Sequence, residues 1–580
     1  MPEEKTEIVI VGLGAGGLYA SKSALIHNKQ CRISILERRD HDQFSPCGLP
    51  FVLEGVVDSF EDLKYVVPEV RDRLVKYLRH NVVGVDKYKK IVTAVNLETG
   101  EEREFPYDAL ILSHGASPVN LPIPGAKELV GKGVHFCSNI DDTCALRDAA
   151  LGSKKKSAVV VGGGAVGLEV AVALRMRGLE VAVTKRTPPP FPRDLDPEMG
   201  KFVIAELERL GIRVLFGKGI DSIGGSDRVE SVTIDGEEIP CDIAVMAVGM
   251  RGNTQLAEMV GAAINNHMVV TNDRMETTVE GVYAIGDLAQ SYSRIDRTPA
   301  TMQLATSAFR QGMTAGVNAA GGNVEYPGVL NTFLTGIGKL EIAATGYSLK
   351  TAKALGYNAK AIGTKREIKP HYIPNITDVN LRIIAEIGSG KVLGAQAIGE
   401  EGAAWRINVV ALAIHGGMTL NDLLDAELSY FPGVSQMYDP LTQLVEIGMK
   451  RLKLKQREAV AVVDAKDREV ESYASANATD SGPVPFFLSS LTSSPISTSA
   501  APAPSSVPNT EPITPGKPTW TMTLGLLSGL PERSSWTVVV PTMMPRLGLS
   551  VRASLTGSST AIENSQKAVA GAWIASQLLQ

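Results

Sequence analysis

The stretch EIVIVGLGAGGLYASKSAL, residues 7–25, decides the fold. Its opening run after Glu7 is apolar and β-branched, as in a buried strand. Gly12, Gly14 and Gly17 follow with GxGxxG spacing and lead into a helical segment. A second strand, CRISILE, ends at Glu37, twenty residues beyond Gly17. In a strand–turn–helix–strand unit each position has a physical task. Gly12 permits the tight turn, Gly14 lets a pyrophosphate approach the backbone, Gly17 allows close helix packing, and Glu37 accepts from a ribose hydroxyl. The glycine pattern alone is weak evidence; with its strand, its helix and the distant acid it predicts a dinucleotide-binding unit.

The pattern recurs in SAVVVGGGAVGLEVAVALRMRGLEVAVTKR, residues 157–186, through Gly162, Gly164 and Gly167. Two such units imply two dinucleotides. Lys185 and Arg186 stand where the first unit has Glu37. An acid there repels a 2′-phosphate and two cations pair with it, so the second site favours NADP(H) over NAD(H), unless the pair merely solvates a strand end. Two more segments fit the scheme. YDALILSHGASP (107–118) is a strand with a turn and a proline exit, and VYAIGDLAQ (282–290) is a strand that delivers Gly286 and Asp287 to a turn. Asp287 either caps the next helix or binds a ribityl hydroxyl.

The 580 residues exceed what one hydrophobic core usually organises, which predicts about three or four domains. Hydrophobic residues make up 44% and the net charge is −5, so neither nucleic acid nor an anionic membrane is an expected partner. The start, MPEEKTEIVIVG, has no secretion-signal pattern, and no apolar run reaches the ~20 residues that span a bilayer, so a cytoplasmic location is expected. Five scattered cysteines suggest neither a disulfide framework nor a zinc site, and no metal is expected. Residues 327–455 read as an α+β module without a glycine fingerprint. Residues 456–580 form a tail in which 481–510 lack any charged side chain, so disorder is expected there, and 519–580 receive no fold.

Taken in order, these motifs resemble the flavoprotein disulfide reductases that bind two dinucleotides, over roughly residues 5–452. The resemblance implies an α/β fold with two Rossmann-like domains, one for FAD and one for NAD(P), and a C-terminal α+β dimerisation domain. It divides the chain into 1–115 and 253–326 for FAD, 116–252 for NAD(P), 327–455 for a homodimer interface, and the tail. Members with two active cysteines separate them by four residues. Here FSPCGLPF (44–51) offers Cys47 alone, and the next cysteine is Cys137. That resembles the one-cysteine branch: coenzyme A disulfide reductases, persulfide reductases, NADH oxidases and NADH peroxidases. The peroxidases and many of the oxidases have histidine in the first glycine loop where this chain has Ala15, which favours a thiol-containing substrate over oxygen or peroxide.

By the same resemblance the cofactor-binding positions are Gly12, Gly14, Ala15, Gly16, Gly17, Glu37, Arg38, Val82, Ser113, His114, Gly115, Gly286 and Asp287, together with Gly162, Gly164, Ala165, Val166, Gly167, Glu169, Lys185, Arg186 and Gly249. Lys22, Ser45 and Arg71 are candidates for substrate. Tyr430, in AELSYFPGVSQMYDPL (426–441), matches the family tyrosine that reaches across the dimer, and Tyr372 in KPHYIPN is a second candidate. His114 replaces a usual threonine, and YFPG replaces a usual YAPP.

Cys47 carries the implied chemistry. The nucleophile is a thiolate, and Pro46 fits the first turn of a helix over 48–54 whose positive end would stabilise it. A single cysteine must then work with an external sulfur, forming a mixed disulfide that electrons from NAD(P)H, passed through FAD, resolve into two thiols. The alternatives are an NADH oxidase using the same FAD and Cys47, and a flavin-bearing redox sensor or binding protein.

Overall fold

The computed structural model describes residues 6–457 and, beyond them, the backbone of two strands, Ser535–Val540 and Val551–Thr556. The chain divides into two compact units, Met1–Ala465 and Lys466–Gln580. In the second unit the two strands pair antiparallel, with Ser535 opposite Thr556 and Val540 opposite Val551. The stretch 481–510, where disorder is expected, lies outside the described residues. No described helix is long and apolar enough to cross a membrane.

The first unit contains three main sheets. The first is a five-stranded sheet in the order Val282–Ala284, Ala109–Leu112, Glu7–Val11, Arg32–Leu36, Leu74–Tyr77, with every neighbouring pair parallel. Ile8 to Val11 are at most 5% exposed, as a strand covered on both faces must be. Register makes the strand ends converge. Val11 lies opposite both Leu36 and Leu112, and Ala284 opposite Leu112, so Gly12, Glu37, Ser113 and Ile285 leave the sheet side by side at its carboxyl edge.

The second sheet repeats this arrangement as Arg213–Phe216, Glu180–Lys185, Ser157–Val161, Ile243–Met246 and Val134–His135, again all parallel. Val161 lies opposite Thr184 and Met246, which brings Gly162, Lys185 and Ala247 to one edge. The third sheet is antiparallel: Phe333–Ile337, Leu340–Gly346, Val392–Gly399, Asp378–Glu386, Ala359–Glu367. Its central strand, Val392–Gly399, is buried along its whole length. Helices Ala403–His415 and Pro440–Leu452 contribute apolar side chains to the same core. They are pinned by a buried ion pair: Arg406 Nε and Nη2 meet Asp439 Oδ1 and Oδ2 at 3.0 and 2.7 Å. This closes the segment 426–439, which carries Tyr430.

The first glycine helix, Ala15–His27, packs on the helix Ala305–Ala319 through residues with almost no side chain. A Cβ on Gly312 would stand 2.3 Å from the Gly16 carbonyl oxygen, and one on Gly316 would stand 2.1 Å from that of Ala20. Gly312→Ala is therefore expected to cost about 1–3 kcal/mol in urea unfolding. Gly336→Ala, whose added carbon meets nothing within 4 Å, serves as the control. Equal midpoints for the two variants would contradict this packing.

Candidate active site

The first glycine turn is built for close approach. Gly12 has φ +97°, and a Cβ on Gly17 would lie 2.1 Å from the Gly12 carbonyl oxygen. Gly14 is the N-cap of the helix and faces open space, with nothing within 4 Å of a Cβ built on it. Ala15 and Gly16 form the first helical turn. Ser113 and His114 lie against Gly12, and Gly115 accepts from the Asn253 amide.

Glu37 is buried and fully engaged. Its Oε2 accepts from the Leu13 amide at 2.7 Å and from Arg39 Nη2 at 2.7 Å, while Oε1 accepts from Arg39 Nε at 2.9 Å. Arg39 hydrogen bonds and charge hold the Glu37 carboxyl below its ordinary range, against burial, the largest single influence, which pushes the other way. Arg39, which the sequence does not mark, supplies this clamp, and the neighbouring Arg38 is exposed.

The structure removes one of the two roles open to Asp287. It lies within the short turn Gly286–Leu288, whose N-cap is Ile285, so it caps no helix. Burial pushes its carboxyl up to about 6. The turn is fixed from the other side by Gln311, which accepts from the Gly286 amide at 2.8 Å. His114 is also unsatisfied: both ring nitrogens are buried without a partner, and burial drops its pKa to about 4. A cradle of glycine backbone, a desolvated carboxylate able to accept hydroxyls, and a neutral imidazole with two orphaned nitrogens fit a bound FAD. Val82 packs against the apolar core of the first sheet, at a bulge between Val82 and Gly84.

Cys47 occupies a short 3-10 turn, Pro46–Gly48, that runs into the helix Leu49–Glu54, close to the expected 48–54. Ser45 is the N-cap of the turn, and its amide donates to the Leu63 carbonyl at 2.8 Å. Leu49 and Val52 anchor the helix in an apolar cluster with Phe44, Phe60 and Leu63. Its last carbonyls are held by Arg177, whose Nε donates to Leu53 O at 2.8 Å.

The electrostatics of Cys47 correct an expectation. Sequence predicts a thiol made acidic by the helix start, yet the structure raises it above the ordinary cysteine range. Partial burial is the main cause, and the Glu169 and Asp287 carboxylates add to it. The helix is only six residues long, and a terminus effect of about 0.3–1 kcal/mol does not offset burial beside two anions. Cys47 remains exposed, whereas desolvation pushes the half-buried Cys137 up to about 11 and the buried Cys241 up to about 12.

Glu169 belongs to the second glycine helix, Ala165–Met176, and Thr335 Oγ1 donates to its Oε1 at 2.6 Å. Burial raises the Glu169 carboxyl, and the Thr335 hydrogen bond partly opposes this. Thr335 lies on the third sheet, 166 residues away, and nothing in the sequence marks it. Glu169 and Asp287, from two other parts of the chain, are each near enough for their charge to act on Cys47.

The second glycine turn copies the first. A Cβ on Gly167 would lie 2.5 Å from Gly162 O, and Gly164 caps the helix that starts with Ala165 and Val166. Gly249, at φ +113°, leaves the same sheet edge. Lys185 donates to Thr187 Oγ1 at 2.9 Å, and Arg186 is exposed.

Tyr430 and Tyr372 meet at the surface, where the Tyr372 hydroxyl raises the Tyr430 phenol. Two substrate candidates are not brought to Cys47 by any contact among the described residues. Lys22 places its ammonium 5.3 Å from the centre of the Tyr19 ring, and the Arg71 side chain is 97% exposed beside Asp72.

Residues 6–312 match the family described as pyridine nucleotide-disulphide oxidoreductase, and residues 334–441 match its dimerisation domain. The chain is 34% identical to an NADH oxidase of Methanocaldococcus jannaschii, over 77% of this chain and 99% of that protein. It is 32% identical to a CoA-dependent NAD(P)H sulfur oxidoreductase of Pyrococcus furiosus, over the same shares of each. Among solved structures, the NAD-dependent persulfide reductase of A. fulgidus aligns with a TM-score of 0.73 at 28% identity, covering 77% of this chain and 84% of that one. With both nucleotide cradles, the third sheet and these matches in agreement, the chain belongs to the pyridine nucleotide-disulphide oxidoreductases, a family of FAD-dependent enzymes.

Proposed function

We propose that this chain reduces a sulfur–sulfur bond, in a disulfide, persulfide or polysulfide of the coenzyme A type, with electrons from NAD(P)H, and that Cys47 is its redox-active residue. What supports this reading is that Cys47, the only exposed free thiol among the described residues, feels the charges of Glu169 from the second glycine helix and of Asp287 from the Gly286–Leu288 turn. Residues 1–115 and 253–326 hold FAD, through Gly12, Gly14, Glu37, His114 and Asp287. Residues 116–252 hold the nicotinamide nucleotide, and 327–455 form the interface of a cytoplasmic homodimer.

The Cys47 thiolate attacks one sulfur of the substrate. The substrate S–S bond breaks, a Cys47–substrate disulfide forms, and the first thiolate leaves and takes a proton. Release of the second thiol consumes two electrons and a further proton, so one NAD(P)H and one H⁺ yield two thiols and NAD(P)⁺. The flavin supplies the two-electron relay between nicotinamide and sulfur. Glu169 and Asp287 keep Cys47 as a thiol until substrate arrives, and Tyr430 with Tyr372 donates hydrogen bonds to sulfur across the dimer.

A second reading, oxygen reduction, is favoured by relatives named NADH oxidase. Ala15 argues against it, since the first glycine loop then lacks a proton donor. Anaerobic reduction with NADPH, followed by mixing with coenzyme A disulfide, polysulfide or oxygen, separates the two. Reoxidation by oxygen alone overturns the sulfur reading.

Cys47→Ser is expected to lower disulfide reduction by about 10³-fold or more while flavin reduction by NADPH persists in stopped-flow absorbance. Glu169→Gln removes a negative charge that raises Cys47, so the Cys47 pKa falls. Below that pKa the thiolate fraction grows, and iodoacetamide labelling of Cys47 at pH 8 should speed up by about twofold or more. An unchanged rate argues against their electrostatic contact. His114→Ala is expected to weaken FAD retention by roughly tenfold, measured by fluorescence of flavin released on dialysis.

A further inference from the structure

The first strand of the third sheet, Phe333–Ile337, turns one face toward the second nucleotide cradle. Side chains alternate along an extended segment, and every second residue from 331 to 337 finds a partner on that side. Asn331 Nδ2 donates to Asp194 Oδ1 at 2.6 Å. The Phe333 ring stacks on that of Phe191 with centres 5.6 Å apart, and the Phe191 amide donates to the Gly163 carbonyl of the glycine turn at 3.0 Å. Ile337 is fully buried in the apolar cluster that holds Leu168, Val172 and Leu53. Between these two apolar contacts stands Thr335, 5% exposed, whose hydroxyl donates to Glu169 Oε1 at 2.6 Å. Valine has the same shape, so only the hydroxyl sets threonine apart here, and Glu169 is its one side-chain partner among the described residues.

Helix packing carries Glu169 to the redox turn. The helix Leu49–Glu54 packs on Ala165–Met176 with its end at Arg177, whose Nε and Nη2 donate to Leu53 O and Val52 O at 2.8 and 3.4 Å. The longer helix stops there, so the shorter one runs back along it and starts on the side of the glycine turn. At about 1.5 Å per residue, Glu169 lies about 12 Å back from Arg177 and Cys47 about 9 Å back from Leu53, nearly level with each other. The Glu169 charge accordingly acts on Cys47 and also on Cys137, and Asp287 is the second anion that acts on Cys47. No cation of the same helix compensates Glu169, because Arg175 and Arg177 turn to the carbonyls of Leu210 and Leu53 at the far end. Glu169 itself forms no ion pair among the described residues, which leaves the Thr335 hydroxyl as its support.

We propose that Thr335 is a positioning residue for the redox site: its hydroxyl fixes the Glu169 carboxylate, and through that carboxylate the third sheet controls the reactivity of the Cys47 thiol. A donated hydrogen bond favours the ionised carboxylate, whereas burial favours the neutral one. Thr335 therefore keeps Glu169 charged against its desolvation, and a charged Glu169 disfavours the Cys47 thiolate. Without the hydroxyl, Glu169 stays protonated to a higher pH. Its field at Cys47 is then absent in that window, and the thiolate forms more readily. The inference rests on the reading of Cys47 as the redox-active residue and adds the contact through which the third sheet acts on it.

The test is the rate of iodoacetamide labelling of Cys47 in the FAD-loaded enzyme, read by mass spectrometry across roughly pH 6 to 8. Thr335→Val should label about twofold faster than wild type near pH 7, and Thr335→Ser, which keeps the donor, should label at the wild-type rate. Glu169→Gln should be faster than wild type, and adding Thr335→Val to it should change nothing further, since both act through one carboxylate. A merely structural Thr335 lowers the melting temperature of Thr335→Val and leaves its labelling profile at wild type, which overturns the proposal. If Glu169→Gln itself labels no faster, the electrostatic contact between Glu169 and Cys47 falls, and the proposal with it. Labelling reports the thiol and not turnover, so failure of the sulfur-reduction reading, seen as Cys47→Ser retaining activity, is a separate result.

Discussion

Three backbones touching without side chains between them underlie the first nucleotide site. Gly17 lets its helix close on the Gly12 carbonyl, and Gly312 and Gly316 let a second helix close on Gly16 and Ala20. Any methyl group at these points would lift a helix off the sheet edge. The second helix also carries Gln311, which fixes the turn bearing Asp287. Helix contact and ligand cradle are therefore one construction, and the small residues that make it serve packing and recognition together.

Much of this was legible in the chain because the relevant signals are local. GxGxxG followed by a strand and an acid specifies a turn, a helix start and a register within about thirty residues. The same holds for the second unit, and for Cys47 between Pro46 and Gly48. What escaped was long-range. Thr335 meets Glu169, Gln311 meets Gly286, and Asp196 meets Arg382 across separations of 166, 25 and 186 residues. No periodicity or spacing encodes such pairs, since each depends on how finished elements dock.

The sign of the field at Cys47 escaped for a related reason. A helix start is visible in a short window, and its modest stabilisation of an anion follows directly. The carboxylates that outweigh it arrive from residues 169 and 287, and burial is a property of the whole fold. Local reading thus located the sulfur and misjudged its acidity. The same contrast holds at Glu37, where the acid was foreseen and its clamp by Arg39 was not.

The grip of Arg177 on the last carbonyls of the cysteine helix has a mechanical side. Arg177 terminates the very helix whose opening turn is Gly164 to Gly167 and whose second turn carries Glu169. That helix acts as a rigid strut with a glycine turn at one end and the end of the Leu49–Glu54 helix clasped at the other. Sliding along its axis moves both ends together, so the second sheet can shear past the first only by dragging the helix behind Cys47 with it.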